Sequence, residues 1–311
     1  MLRRALLAAS ASERIRHLVT TAPLTRDVVA RFVAGDTADD ALAVTRRLLD
    51  DGLLVTLDYL GEDTVDPQQA AAVTAEYMRL LGRLGAAGMS GGGRAEVSVK
   101  PTAVGLDLAE HGEKTARENI ARICAAARDA GTTVTLDAEE DTRVEPTLQI
   151  VAQLRPEFPD LGCVVQSYLR RSPDDCRMLA AEGSRVRLCK GAYSAAADVA
   201  FTTRAEVDRC YARCLRVLLD GPGYPMIATH DPRLITIAGA VATLADRPAA
   251  GFEYQMLYGI RPAEQLRLAG DGARVRVYVP YGSDWYGYLV RRLAERPANL
   301  AFFLRSLASR G

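Results

Sequence analysis

The chain has no formal net charge, because 39 Lys and Arg residues face 39 Asp and Glu residues. With no global field and no dense basic cluster, nucleic-acid binding is not expected. The same balance says nothing about acidic substrates. Six cysteines are scattered at 124, 163, 176, 189, 210 and 214 without a C-x-x-C pair. The opening MLRRALLAAS carries an apolar patch too short for the core of a secretory signal. Reduced thiols and a cytoplasmic location follow as expectations. No apolar run approaches the ~20 residues of a membrane span, which leaves open a peripheral contact at the inner face of the plasma membrane. Three histidines, none at metal-ligand spacing from another, argue against a zinc site. No G-x-G-x-x-G separates a strand-like run from a helical one, which weakens an open, doubly wound dinucleotide fold. Lysine is scarce too, being confined to Lys100, Lys114 and Lys190. Codon bias is the bland reading of the arginine excess. It does not account for two of the three lysines directly following β-like runs.

A chain of 311 residues with 49% hydrophobic content can bury a large core without disulfides. Residues 1–50 read as helices, with Thr25 and Asp36 as caps, and are expected to form a helical segment packing on a catalytic domain of residues 51–311. Beyond them, short β-branched runs alternate with amphipathic stretches. The runs are LLVTLD ending at Asp58, AEVSVK at Lys100, TVTLD at Asp137, GCVVQ at Gln166, VRLCK at Lys190, MIATH at His230, GFEYQ at Gln255 and RVRVY at Tyr278. Strand then helix, eight times over, predicts a parallel sheet with crossover helices, closed as a (β/α)8 TIM-type barrel. In such a barrel the chemistry lies at the carboxyl ends of the strands. Nearly every run here ends in a polar or ionisable group, a pattern that stability alone does not require.

Each candidate has a bland reading beside the functional one. Asp137 is expected to point into the barrel mouth, whereas Glu139 or Glu140 is expected to cap the next helix. Lys100 needs a carboxylate partner, supplied by the protein or by a substrate, because an unpaired buried ammonium costs several kcal/mol. In RLCKGAY, Arg187 and Cys189 share one strand face and Leu188 and Lys190 the other. Gly191 permits close approach to the backbone, and Cys189 reads as packing. His230 suits either a hydrogen bond to a cofactor or a structural one. Near the end, Tyr288, Arg291, Arg292 and Glu295 fall at helical spacing on one face. Paired guanidiniums there suit bidentate capture of a carboxylate; the alternative is an ordinary exposed helix with Arg–Glu pairs.

Taken in order, the segments LDYLGE (57–62), VSVKP (97–101), LDAEE (136–140), VVQSYLRRS (164–172), RLCKGAY (187–193), IATHD (227–231), FEYQMLYG (252–259), RVYVPYG (276–282) and YLVRRLAE (288–295) resemble the proline dehydrogenase family. The resemblance implies a distorted (β/α)8 barrel with a final helix over its mouth, holding non-covalent FAD at the strand ends. It implies that Lys100, Arg291 and Arg292 hold the carboxylate of L-proline. Tyr278 and Tyr288 would stack on its ring, and Leu257 and Tyr193 would close the pocket. Asp137 is implied as the active-site acid, paired with Tyr193, and Arg187 as the cation beside the reactive nitrogen of the flavin. Ala138, Gln166, Lys190, Gly191, Ala192, Thr229, His230 and Glu295 are implied as further cofactor contacts. Glu62 would pair with Arg292 to close a gate. The sequence departs from the family at Ser194, where many relatives carry Trp, and at Asp231, where Asn is common. The implied reaction gives Δ1-pyrroline-5-carboxylate, with a quinone taking the electrons and a separate pyrroline-5-carboxylate dehydrogenase taking the product. The rival readings are a related hydroxyproline dehydrogenase and, more remotely, a Schiff-base aldolase barrel using Lys100 or Lys190.

Overall fold

The computed structural model describes residues 29–61, 64–193 and 195–289. The first long helix, α1 (Ala38–Asp50), opens on a reciprocal capping box. Thr37 Oγ1 accepts from Asp40 N–H at 3.2 Å, and Asp40 Oδ2 accepts from Thr37 N–H at 3.0 Å. The cap is thus Thr37 and not the expected Asp36. A hydroxyl can also donate to the Asp40 carboxylate, as it does at 2.7 Å, whereas a second carboxylate would repel it. The other expected cap, Thr25, lies outside the described residues.

Eight strands then alternate with helices. They are β1 (Leu54–Tyr59), β2 (Ala95–Val99), β3 (Val134–Leu136), β4 (Gly162–Gln166), β5 (Arg185–Cys189), β6 (Tyr224–Ala228), β7 (Glu253–Leu257) and β8 (Val275–Tyr281). Between them run α2 (Pro67–Ala86), α3 (Gly112–Asp129), α4 (Asp141–Leu154), α5 (Ser172–Ala181), α6 (Arg204–Asp220), α7 (Pro232–Leu244) and α8 (Pro262–Gly270). The strands close in sequence order, each parallel to the next and β8 parallel to β1. The (β/α)8 expectation therefore holds.

Several helix starts are written locally. Asp66 caps α2 with Pro67 in its first turn, Thr203 and Glu206 form a capping box for α6, and Asp231 caps α7 ahead of Pro232. Three strands outrun the predicted ends, β1 by the single residue Tyr59. β7 continues to Leu257 and β8 to Tyr281, so Gln255 and Tyr278 lie within strands and not at their tips. The sequence runs broke at Met256 and Val279, which are outward residues buried against helices, and strand pairing carries the backbone past them.

Side chains of one parity, including Leu57, Val97, Leu136, Val165, Leu188, Ile227 and Val277, join the main apolar core between strands and helices. Those of the other parity fill the barrel interior, and there the usual Val, Ile and Leu layers give way to ions. Glu96 and Glu253 are fully buried, and Arg276 is 2% exposed. Arg276 Nε binds Glu253 Oε1 at 2.6 Å, and Arg185 Nη2 binds Glu96 Oε2 at 2.8 Å. Burial pushes the Glu96 carboxyl up, but the guanidiniums of Arg276, Arg185 and Arg187 outweigh it and hold the group well below the usual carboxylate range.

At the amino ends of the strands a cavity of about 930 Å³ is lined by Thr133, Arg185, Tyr224, Arg247 and Arg274 among others. It includes none of the predicted site residues. Arg247 spends its guanidinium on the carbonyls of Gly221, Gly223 and Gly251, tying loops together. This is the stabilising end of such a barrel.

Candidate active site

The opposite rim gathers the ionisable strand ends. Lys100, just past β2, is chelated by both carboxylate oxygens of Asp58, at 2.7 and 2.6 Å, and its side chain is only 8% exposed. Its ammonium lies 3.9 Å from Asp137 Oδ2. Of the two partners anticipated for Lys100, the protein supplies one. Burial pushes the Asp58 carboxyl up, against the pull of Lys100 and a hydrogen bond from Tyr278, and the Tyr77 hydroxyl lies 3.5 Å from Asp58 Oδ1.

Asp137 extends β3 by one backbone bond, its N–H donating to Val99 O at 2.9 Å. Oδ1 accepts from Arg187 Nη1 at 2.6 Å and from Ser98 Oγ at 2.9 Å, and Oδ2 accepts from the Tyr278 hydroxyl at 2.7 Å. The Arg187 guanidinium also lies 5.3 Å from the Tyr278 ring centroid. Burial, followed by the charges of Asp137 and Asp58, pushes the Tyr278 phenol well above its ordinary value, so it remains a neutral donor. The bonds Asp137 makes run to Arg187, Ser98 and Tyr278. Tyr193 packs in a separate cluster with Tyr168, Leu169 and Ala200, because the loop after β5 runs out over β4 and not across the barrel.

The ends of β4, β5 and β6 present the predicted cofactor contacts side by side. Gln166 Nε2 donates to Glu139 O at 2.8 Å. Glu139 does not cap α4; its carboxylate accepts from Thr102 N–H at 3.1 Å and Thr102 Oγ1 at 2.5 Å. Glu140, at the cap position, makes no side-chain cap bond either. The buried Thr102 donors, on the loop after Lys100, satisfy Glu139 more fully than a helix end would. Lys190 is bracketed by Asp208 at 2.5 Å and Asp231 at 3.1 Å, and Arg204 and Arg233 join the same carboxylates. Gly191 has φ +95, and a Cβ there would stand 2.2 Å from a Tyr168 ring carbon; the glycine is required by packing. Thr229 Oγ1 accepts from Asp231 N–H at 3.1 Å. His230 Nε2 accepts from Leu257 N–H at 2.9 Å, which puts the proton of a neutral ring on Nδ1. Ala138 is half-buried between β3 and α4.

Leu257 and Tyr288, 31 residues apart in sequence, meet in one apolar cluster with Phe32, Val33, Leu60 and Ile260 above the rim. The segment before α1 and the residues after β8 therefore both cover this end of the barrel. The predicted Glu62, Arg291, Arg292 and Glu295 lie outside the described residues, as does Ser194.

Three participants were given no role from the sequence, namely Asp58, Ser98 and Gln255. The signal was parity. In AEVSVK the polar Glu96, Ser98 and Lys100 alternate with apolar residues, as do Arg276 and Tyr278 in RVRVY. Within a sheet buried on both faces, such alternation marks an inward polar column.

The donor set suits a flavin dinucleotide. The close backbone approach that Gly191 allows, beside Lys190 at the end of β5, would suit phosphates, and the buried Arg187 fits the acceptor edge of an aromatic ring.

Comparison with known proteins points the same way. The family profile described as Proline dehydrogenase matches residues 41–305. The chain is 39% identical over 283 residues to Proline dehydrogenase 1 of Bacillus subtilis (strain 168), covering 91% of each chain. It is 38% identical over 283 residues to the Proline dehydrogenase of Deinococcus radiodurans, covering 90% of each. Among solved structures it is similar to proline utilization A from Bdellovibrio bacteriovorus inactivated by N-propargylglycine, with TM-score 0.81 and 27% identity. That match covers 87% of this chain and 33% of the other, so the chain spans about a third of the solved protein.

Proposed function

Because the chain belongs to the proline dehydrogenase family, we propose that it oxidises L-proline to Δ1-pyrroline-5-carboxylate, with FAD bound non-covalently over the rim and a quinone as the final acceptor. The observation that carries this reading is the convergence of Asp137, Arg187, Tyr278, Ser98, Lys100 and Asp58 at the carboxyl ends of five strands.

When bound, the flavin supplies the acceptor for a hydride from the carbon next to the proline nitrogen. The protein has to orient that carbon and bring the amine in without its extra proton. In this reading Lys100, Arg291 and Arg292 hold the proline carboxylate. Lys100 comes to the task already neutralised by Asp58, so it contributes a directed N–H and the two arginines contribute the net charge. Leu257, Tyr193, Tyr278 and Tyr288 shape the apolar wall for a five-membered ring. Asp137 holds the Arg187 guanidinium and the Tyr278 phenol in place, and Arg187 puts positive charge beside the ring system that gains electrons. Gln166, Lys190, Thr229, His230, Glu295 and the backbone at Ala138, Gly191 and Ala192 are assigned to the cofactor, and Glu62 with Arg292 to a gate. Residues 1–50 are assigned to a segment flanking the catalytic domain, 51–311.

The described residues include no helix long and apolar enough to cross a membrane. A membrane-dissolved quinone would then be met by peripheral contact, and the product would pass to a separate pyrroline-5-carboxylate dehydrogenase. The Schiff-base alternative fares worse. Condensation with a carbonyl needs a free amine, and both strand-end lysines are clasped by carboxylates.

The purified protein is expected to be yellow and to bleach when L-proline is added without oxygen. Colourless protein that is trapped on a carbonyl substrate by borohydride would overturn the proposal. Bleaching by 4-hydroxyproline in preference to proline would correct the substrate.

A further inference from the structure

We infer that Gln255 is a positioning residue for Arg187, and through it for Asp137; the inference rests on the roles proposed for those two residues. Arg187 stands between two carboxylates. Its Nη1 reaches up to Asp137 Oδ1 at 2.6 Å, while its Nη2 is buried without a hydrogen-bond partner and lies 3.9 Å from Glu96 Oε1, lower in the barrel. Glu96 is fully buried, so its pull on a neighbouring guanidinium is poorly screened. Something must keep Arg187 at the mouth.

Gln255 supplies that hold. Arg187 Nε donates to Gln255 Oε1 at 2.6 Å, and Gln255 Nε2 donates to Glu253 Oε1 at 2.6 Å. Glu253 is itself fixed by Arg276, at 2.6 and 3.1 Å, and by the Tyr224 hydroxyl at 3.2 Å. The Gln255 side chain thus meets a neighbour that can only donate at one end and a neighbour that can only accept at the other. An amide satisfies both. A hydrocarbon satisfies neither, and a carboxylate would face Glu253. With Nε pinned by Gln255, and Nη1 pinned by Ser98 and Asp137, the plane of the guanidinium is set from two edges. Gln255 is 4% exposed and lies one layer below the mouth, so it acts through Arg187 and not by touching substrate.

The test compares Gln255→Leu and Gln255→Glu with wild type, all loaded with FAD. Gln255→Leu should lower kcat for proline about 10- to 100-fold, the scale of a small misplacement at a reacting centre. Its KM should stay within about twofold of wild type, since no proline contact is removed. Its flavin midpoint potential should move to more negative values as Arg187 sinks towards Glu96. Gln255→Glu brings a carboxyl among Arg187, Glu253, Arg276, Glu96 and Arg185. Protonated, that carboxyl reproduces the amide pattern, so the ratio of variant to wild-type kcat should rise as pH falls. A merely structural role would lower Tm and leave both potential and kcat in place. That result in Gln255→Leu, or a pH-independent ratio in Gln255→Glu, overturns the inference. Should Gln255→Leu fail to fold, Gln255→Glu decides alone. A wild type that takes up no flavin, or is not bleached by proline, sinks the underlying reading and this inference with it.

Discussion

Outward side chains of the barrel strands, among them Val97, Leu136, Val165 and Leu188, meet the helices as hydrocarbon. The inward ones, among them Glu96, Ser98, Arg187 and Arg276, meet one another as ions and hydrogen-bonding groups. The outer layer is what stabilises a barrel of this size, since burial of apolar area is the dominant favourable contribution. The inner column is a poor source of stability. Buried ion pairs seldom outperform packed hydrocarbon, yet breaking one by removing a partner is costly. An interior of Glu96, Arg185, Arg276 and Glu253 therefore makes most sense as support for the charges at the mouth, each ion holding the next in line.

Substitutions on the two faces should behave differently. The largest effect is expected from Glu96→Ala, which takes the close carboxylate from Arg185 and a second one from Arg187 and Arg276, and should cost roughly 3–5 kcal/mol in urea unfolding. Its pH signature follows from the depressed carboxyl. The stability Glu96 contributes is fully present above the ordinary value of 4.5 and is lost as pH falls below it. Wild type should lose stability steeply on acidification there, and Glu96→Gln less steeply. Next comes Ile123→Ala on α3, a fully buried outward-layer residue, at about 2–5 kcal/mol for a cavity of this kind. Its kcat should be unchanged; a fall in kcat comparable with that of the inward variants would erase the distinction between faces. Asp137→Asn should lower kcat about 100-fold, near 3 kcal/mol, and also lower Tm, since buried Arg187 loses its close carboxylate. Smallest is Thr37→Ala, which removes the α1 cap and should cost about 1 kcal/mol without touching proline oxidation.

The alternation of eight β-branched runs with helices was enough to read the barrel, because apolar periodicity is a local property of the chain. Strand ends were less legible. β8 runs on through Val279 and Pro280 because β1 offers partners as far as Tyr59, a fact of pairing and not of composition. At the site, residue type and strand position singled out Lys100 and Asp137, and the family resemblance added Arg187. Their mutual partners were not readable, since Asp137 joins Arg187 and Tyr278 across 50 and 141 residues of sequence. The pairing of Asp137 with Tyr193 was implied by the resemblance alone, and Tyr193 packs against the cluster of Tyr168, Leu169 and Ala200. His230 could be read either way, and the bond it accepts from Leu257 N–H shows that it is at least structural. Gln255 was visible only as the end of a run. Its function as a directional link depends on Glu253 and Arg187, which lie on its two sides only once the barrel is closed.

The most direct test of an inner column built to serve the mouth is anaerobic titration of flavin-loaded wild type and Asp137→Asn with L-proline, followed by absorbance. Wild type should bleach in full, while Asp137→Asn, equally folded and equally loaded, should bleach about 100-fold more slowly. Equal bleaching rates in the two proteins would contradict the account.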